Sequence, residues 1–331
     1  MSRKLCSISI LLLIASPTIS FAQEKVSNKK IIPKIGVTQT ASYPDFDADA
    51  KGFEKALAEA GFKEGTHVIY DRQNAQGDVN HTQMIAQRFL KANVDLIHSI
   101  ATPSSRAVMK IIKDIPIVFS SVTDPIYAGL IPKTSPLGTK TGTNVTGVTD
   151  RWPVALQFEM YAKFFPKAKK WGTIYNMRDP RSIPYIKEMR DVAKKLKVEL
   201  IEVAVSSSDE VLPAAQFLGG KAQILYITYD HTAFSCFDTI VKVCNEKKIP
   251  LFGGDLKCVK NGAMAAYGWD YFQIGYSAGR KAVQILKGEK PGDIPWEPGE
   301  KLLLLINERA AKAQGAIVSP ELLKKADKMI Q

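Results

Sequence analysis

Short apolar runs alternate along the chain with stretches whose apolar residues recur every three or four positions. The first pattern fits a strand buried on both faces, and the second fits an amphipathic helix. Lys34-Ile35-Gly36-Val37 is a strand by this reading, and Phe46 to Ala60 follows as a helix with Phe53, Leu57 and Ala60 on one face, ended by Gly61. His67 to Tyr70, Asp95 to Ile100 and Ile115 to Phe119 are further strands, separated by helices over Thr82 to Ala92 and Ser104 to Ile112. The second half repeats the plan. Strands at Trp171 to Tyr175, Val198 to Val205, Ile224 to Ile227 and Ile249 to Phe252 alternate with helices at Pro184 to Leu196, Val211 to Leu218 and Thr232 to Cys244.

Strand, helix, strand in this order marks a parallel sheet covered on both faces. Lys113-Asp114-Ile115-Pro116-Ile117-Val118-Phe119 and Lys247-Lys248-Ile249-Pro250-Leu251-Phe252 look like the same strand in two copies, each followed by a loop with an aspartate, Asp124 and Asp255. The chain therefore reads as two Rossmann-like α/β lobes. Asn144 to Asp150 is a short Thr/Gly-rich junction between them. Met264 to Tyr267 is one more strand of the second lobe, and Tyr271 to Lys287 is a long helix stopped by Gly288. Pro291 to Pro298 is irregular, Leu302 to Ile306 is a last strand, and Glu308 to Ala313 and Pro320 to Ile330 close the chain as helices. These last pieces should pack back onto both lobes. The expected division is 31–146 with 272–300 for the first lobe and 147–271 with 301–331 for the second.

Composition alters the picture in two places. Residues 1–22 carry Arg3 and Lys4, a short apolar run centred on Leu11 to Ile14, and the small-x-small pattern Ser20-Phe21-Ala22. That is an export signal cleaved after Ala22, which places the mature protein in the periplasm. Cys6 precedes the apolar run and cannot be the acylated cysteine of a lipoprotein. The second is charge. The net charge of +12 raises nucleic acid as a partner. The basic residues are scattered beside acidic ones, as in Lys187-Glu188 and Arg190-Asp191, so a solvated basic surface is the better reading.

In an exported chain Cys236, Cys244 and Cys258 can oxidise. Cys236 and Cys244 are about 12 Å apart along one expected helix, too far to bond. Cys236 and Cys258 form the expected disulfide, provided the helix start and the loop after Asp255 are neighbours. Cys244, among Ile240, Val241 and Val243, reads as a buried thiol. No paired-histidine or C-x-x-C spacing proposes a metal, and no cofactor is implied. Nucleotide-binding, zinc-protease and nucleophile-elbow signatures are absent, so no enzyme is proposed.

Ligands of open parallel sheets bind beyond the carboxyl ends of the strands. The candidates in the first lobe are Gln39, Ser42 and Tyr43, then Thr102, Pro103 and Ser104, then Ser121, Thr123 and Asp124. In the second they are Asn176, Asp179, Arg181 and Ser182, then Tyr229, Asp230 and His231, then Asp255, Trp269 and Asp270. Thr102-Pro103-Ser104 starts a helix, where free N–H groups and the helix dipole suit a carboxylate, though Thr102 as a plain cap is an equal reading. Asp230, Asp255 and Asp270 suit an ammonium group, and Tyr43, Tyr229 and Trp269 suit a ring.

Together these residues resemble the ABC transporter substrate-binding family that includes tryptophan- and tyrosine-binding importer components. The markers are Lys34 to Gln39, Gln73-Asn74-Ala75-Gln76-Gly77-Asp78, Ile100 to Ser104, Ile115 to Phe119 with Val122 to Pro125, Asn144 to Gly147, Ile174-Tyr175-Asn176 and Tyr267 to Tyr271. The resemblance implies a type I periplasmic-binding fold with crossover strands, closing on a small ligand that is typically an amino acid, often aromatic. It also implies a membrane permease as partner; the protein itself is expected to be a monomer. The second lobe departs from the family pattern at Arg181-Ser182, Asp230-His231-Thr232 and Gly253-Gly254-Asp255. Arg181 and His231 suit an extra acidic or carbonyl group, and the two glycines suit a larger ligand. A ligand sensor reporting to a membrane receptor is the alternative on the same fold.

Overall fold

The computed structural model describes residues 32–330; the expected leader, residues 1–22, lies outside them. The first half runs β1 (Lys34–Gln39), α1 (Pro44–Glu59), β2 (Ile69–Asn74), α2 (Val79–Lys91), β3 (Leu96–Ile100), α3 (Thr102–Ile111), β4 (Ile117–Ser120) and β5 (Val145–Thr149). The second begins with α4 (Val154–Phe164), β6 (Lys170–Asn176), α5 (Ile183–Leu196), β7 (Glu199–Val205), α6 (Val211–Gly219) and β8 (Ile224–Ile227). It continues with α7 (His231–Ser235), α8 (Phe237–Lys247), β9 (Leu251–Gly253), α9 (Lys257–Lys260) and β10 (Ala265–Trp269). Then come α10 (Tyr271–Leu286), β11 (Glu297–Pro298), β12 (Leu302–Asn307), α11 (Glu308–Ala313), α12 (Pro320–Lys325) and β13 (Lys328–Ile330).

Two sheets result. The first has six strands in the order β11-β5-β4-β3-β1-β2, all parallel, and the second has seven in the order β13-β12-β10-β9-β8-β6-β7. The one antiparallel pairing joins β12 to β10, and β13, parallel to β12, runs with it against the other five strands. β3 and β4 are buried along their whole length, which fits strands with helices on both faces. Phe89, Ile97 and Phe119 fill one side of the first sheet, and Phe53, Leu57 and Ile274 the other. In the second sheet Phe158, Trp171 and Phe252 form one core, and Ile227, Phe237 and Ile240 the opposite one. Each sheet with its helices is a lobe.

The chain passes between the sheets three times: from β5 to α4, from β10 to α10, and from β11 to β12. The first passage falls after Thr149, so the expected break at 146/147 lies inside β5, where Gly147 pairs with Phe119. α10 returns to the first lobe and lies backbone against backbone on α1. A Cβ on Gly275 would sit 1.8 Å from the Asp49 carbonyl, so only glycine permits that approach.

Among the elements that differ from the expectation, three concern helices. The helix expected over Thr232 to Cys244 breaks at Cys236 into α7 and α8. The terminal helix stops at Lys325, and Lys328–Ile330 adds a strand to β12; tertiary pairing overrides helix propensity in so short a segment. α4, which sequence periodicity missed, carries Gln157 and Tyr161 on its inner face, and these buried polar residues blur the apolar stripe. Among the described residues no helix is long and apolar enough to cross a membrane.

Candidate functional site

In the first lobe the strand tips are shaped by backbone geometry. Ala101 precedes α3 with φ 71° and ψ 158°, a region normally open only to glycine. Ser121, at the tip of β4, has φ 53°. A buried polar cluster holds this tip. Asp49 accepts from the Ser120 hydroxyl at 2.9 Å and from the Ser121 hydroxyl, and His98 Nε2 lies 2.8 Å from Ser120 Oγ. The His98 ring stacks on Phe53 with centroids 3.9 Å apart.

The start of α3 has no side-chain cap, so Thr102 is the first helical residue and not a cap. It offers fewer free N–H groups than expected. Pro103 has none, and the Ser104 amide donates to Thr40 Oγ1 at 3.3 Å. Ser104 is itself buried, with its hydroxyl 3.0 Å from that of Thr40. What faces outward is Thr102, with Arg106 one turn later on the same helix face.

In the second lobe side chains satisfy the tips. Asp230 caps α7 by accepting from the Ala233 amide at 2.8 Å, and its other oxygen accepts from the Asn176 amide at 2.6 Å. Asn176 Nδ2 donates to Thr232 Oγ1 at 2.9 Å. Asp179 accepts from the Arg181 guanidinium at 2.9 and 2.8 Å, which holds its carboxyl below the usual range. Ser182 is buried and bonds the Asn176 and Asp179 carbonyls. Below them, Gln157 Nε2 donates to the Gly254 and Tyr267 carbonyls, both at 2.7 Å, while its Oε1 accepts from the Tyr226 hydroxyl.

The two rows of tips meet across a cavity of about 460 Å³. Thr102, Pro103, Arg106, Thr123, Asp124 and Tyr127 line it from the first lobe, and Arg181, Pro184, Tyr185 and Tyr229 from the second. Arg151, on the first crossing, completes it; its guanidinium lies 4.9 Å from the Tyr185 ring centre and 3.7 Å from Glu188. Burial pushes the Tyr185 and Tyr229 hydroxyls up, so both remain neutral donors. A volume in the range of roughly 300–1,000 Å³ suits a small organic molecule.

A second pocket of about 290 Å³ adjoins through Tyr229 and is lined by Trp152, His231, Phe234, Asp255, Lys257 and Cys258 among others. Trp152 meets Tyr229 and Phe234 edge to face, with centroids 5.2 and 5.4 Å apart. Burial raises the Asp255 carboxyl, and the Lys257 amide bonds it at 2.7 Å. The Lys257 ammonium reaches Asp45 of α1 at 2.5 Å, an ion pair between the lobes.

Of the candidates, Thr102, Pro103, Thr123, Asp124, Arg181 and Tyr229 thus gather in one cleft. Asp230, His231 and Asp255 lie in the adjoining pocket. Gln39 and Ser42 bond Asp47 instead, and Tyr43 is exposed beside Phe46. Trp269 is buried, donating to the Arg151 carbonyl at 2.9 Å, and Asp270 caps α10. Arg106, Tyr127, Arg151 and Tyr185 were missed. The i, i+4 spacing of Thr102 and Arg106 was a usable signal; the other three lie a few residues beyond named tips and carry none.

The expected Cys236–Cys258 disulfide does not form; all three described cysteines are free thiols. Cys258 turns into the core beneath β9, where a Cβ on Gly253 would come within 2.5 Å of its sulfur. Cys236 instead points towards the Ser208 carbonyl at 3.8 Å. Burial holds both other thiols protonated, Cys244 at about 12 and Cys258 higher still. The glycine pair also makes no room for a larger ligand. Cys258 takes the space beside Gly253, and the Trp152 ring takes that beside Gly254, 2.4 Å from a would-be Cβ. Among the described residues no three His, Cys, Asp or Glu side chains cluster as metal ligands.

Comparison with known proteins bears on this cleft. The family model described as ABC transporter substrate binding protein matches residues 34–330. A tyrosine-binding protein of Clostridioides difficile (strain R20291) is 38% identical over 291 residues, 88% of this chain and 83% of that protein. The ligand-free, open structure of a Clostridium difficile substrate-binding protein with adhesive properties superposes with a TM-score of 0.83 at 35% identity, covering 91% of this chain and all of that one (100%). A Streptococcus pneumonia ABC domain in complex with L-Trp gives 0.70 at 30% identity, covering 90% and 100%.

Proposed function

The chain belongs to the ABC transporter substrate-binding protein family, and from that premise we propose that it captures an aromatic amino acid between its two lobes for a membrane permease. The observation that carries this reading is the cleft shared by both lobes, with Thr102 and Arg106 on one wall and Tyr185 and Tyr229 on the other. Thr102 and Arg106 receive the ligand's carboxylate, since the guanidinium supplies charge with directed donors and the Thr102 hydroxyl adds one more. Tyr127, Tyr185 and Tyr229 wall the ring, and Arg181 lies within reach of a polar group on it. A tyrosine-binding relative and an L-Trp-bound relative support the ligand class.

Capture proceeds by closure. The arrangement superposes more closely on the open relative than on the L-Trp-bound one, as an open form would. The three crossings act as the hinge, and closing excludes water from the polar contacts. The permease then distinguishes closed from open by shape. In this role the protein works as a monomer in the periplasm, released by cleavage after Ala22.

Thermal unfolding of the mature protein with each of the common amino acids tests the reading. L-tyrosine or L-tryptophan at 100 times its dissociation constant should add about 2.7 kcal/mol of stability. No shift with any amino acid would end the proposal.

A further inference from the structure

Asp150 follows β5 directly, at the first crossing between the lobes. Its side chain is only 5% exposed. Oδ2 accepts from the Tyr271 hydroxyl at 3.0 Å, and the Thr123 side chain lies near the carboxyl. Oδ1 is buried and has no partner among the described residues. Arg151, the next residue, pairs with Glu188 and stacks over Tyr185 instead. An orphaned carboxylate oxygen out of reach of water is costly, so a native structure that keeps one calls for an explanation. The place supplies one. Asp150 is buried behind the cleft and does not line it, but Thr123 beside its carboxyl and Arg151 next to it in sequence both do, and Tyr271 lines a small further pocket with Trp152 and Asp255.

We propose that Asp150 receives a primary ammonium group of the captured ligand. This rests on the reading of Thr102, Arg106 and the tyrosine wall, and adds the third contact that an amino acid requires. The cleft then selects molecules with a carboxylate, a ring and an amine, and rejects those lacking the amine. Asp49, the other carboxylate buried in this region, is already bonded by Ser120 and Ser121 and offers no comparable vacancy. Burial pushes the Asp150 carboxyl up to about 6, with Asp49 adding repulsion and Thr123 and Tyr271 opposing it. The other groups that feel its charge, Tyr185, Tyr229 and Tyr271, all have raised hydroxyls and stay neutral. The ligand's cation therefore meets no competitor there, and it pairs only with the ionised carboxylate. Affinity should fall as the pH drops below about 6, because Asp150 must then give up a proton to bind.

Calorimetry on the mature protein and its Asp150→Asn variant tests this with L-tyrosine, 3-(4-hydroxyphenyl)propionate and tyramine. The wild type should bind L-tyrosine far more tightly than the des-amino acid. Asp150→Asn should weaken L-tyrosine on the order of 100-fold and leave the des-amino acid unchanged, which a merely structural role would not do. Between pH 7 and pH 5 the wild type should lose about tenfold for L-tyrosine, and the variant should show no such change. The variant removes a buried charge, so its unfolding midpoint should match or exceed that of the wild type. Equal binding of L-tyrosine and the des-amino acid by the wild type, or full L-tyrosine affinity in Asp150→Asn, overturns the proposal. Tyramine binding alone would overturn the carboxylate role of Thr102 and Arg106 and keep the ammonium site. No response to any of the three would overturn both.

Discussion

The two lobes present their strand tips by opposite means. In the first, the tips are set by strained backbone, with Ala101 at φ 71° and Ser121 at φ 53°, and α3 begins uncapped. In the second, side chains hold the tips: Asp230 caps and clamps, Asn176 and Thr232 bond each other, and Gln157 holds two loop carbonyls from below. At the crossing, by contrast, the buried Asp150 Oδ1 is left without a partner. The second lobe supplies a rigid aromatic wall. A tip whose hydrogen bonds are complete is a good support and a poor receptor.

That contrast can be broken most decisively at Gln157. Gln157→Leu strands the Gly254 and Tyr267 carbonyls and the Tyr226 hydroxyl in the core, and should cost about 3 kcal/mol in urea unfolding. A loss below about 1 kcal/mol would mean that side chains do not hold these loops together. A smaller effect is expected at Asp230. Asp230→Ala removes the cap of α7 and the acceptor for Asn176, costing about 1–2 kcal/mol of stability. L-tyrosine affinity should stay within about threefold of the wild type; a loss near 100-fold would return Asp230 to the binding site. Smallest, and of opposite sign, is Ala101→Gly. Relief of roughly 1–3 kcal/mol of strain, less about 0.5–1 kcal/mol for glycine's chain entropy, leaves a net gain of about 1 kcal/mol in the unfolding free energy. A destabilised variant would show that Ala101 carries no strain.

Much of the plan was legible in the chain. The alternation of apolar runs and amphipathic stretches located nearly every strand, and the twin sequences around Ile117 and Leu251 exposed the repeated lobe. The site was legible as a set of places, since any residue just beyond a strand is a candidate. Which of those residues turn inward was not. Asp230 and Asp270 read as ammonium receptors by type and position, yet both are consumed by neighbours more than one residue away. The cysteines failed similarly, because the distance between Cys236 and Cys258 depends on how α7 and α9 pack.

Asp150 stood in the Thr/Gly-rich junction and attracted no attention there, for nothing in Thr149-Asp150-Arg151 announces a buried charge. By itself the sequence determined the elements, their order and the doubling of the lobe, because periodicity and turn residues act over a few positions at a time. Only the tertiary structure decided which polar groups found partners. That depends on contacts between residues as distant as Asp150 and Tyr271, brought together when the chain crosses between its two sheets.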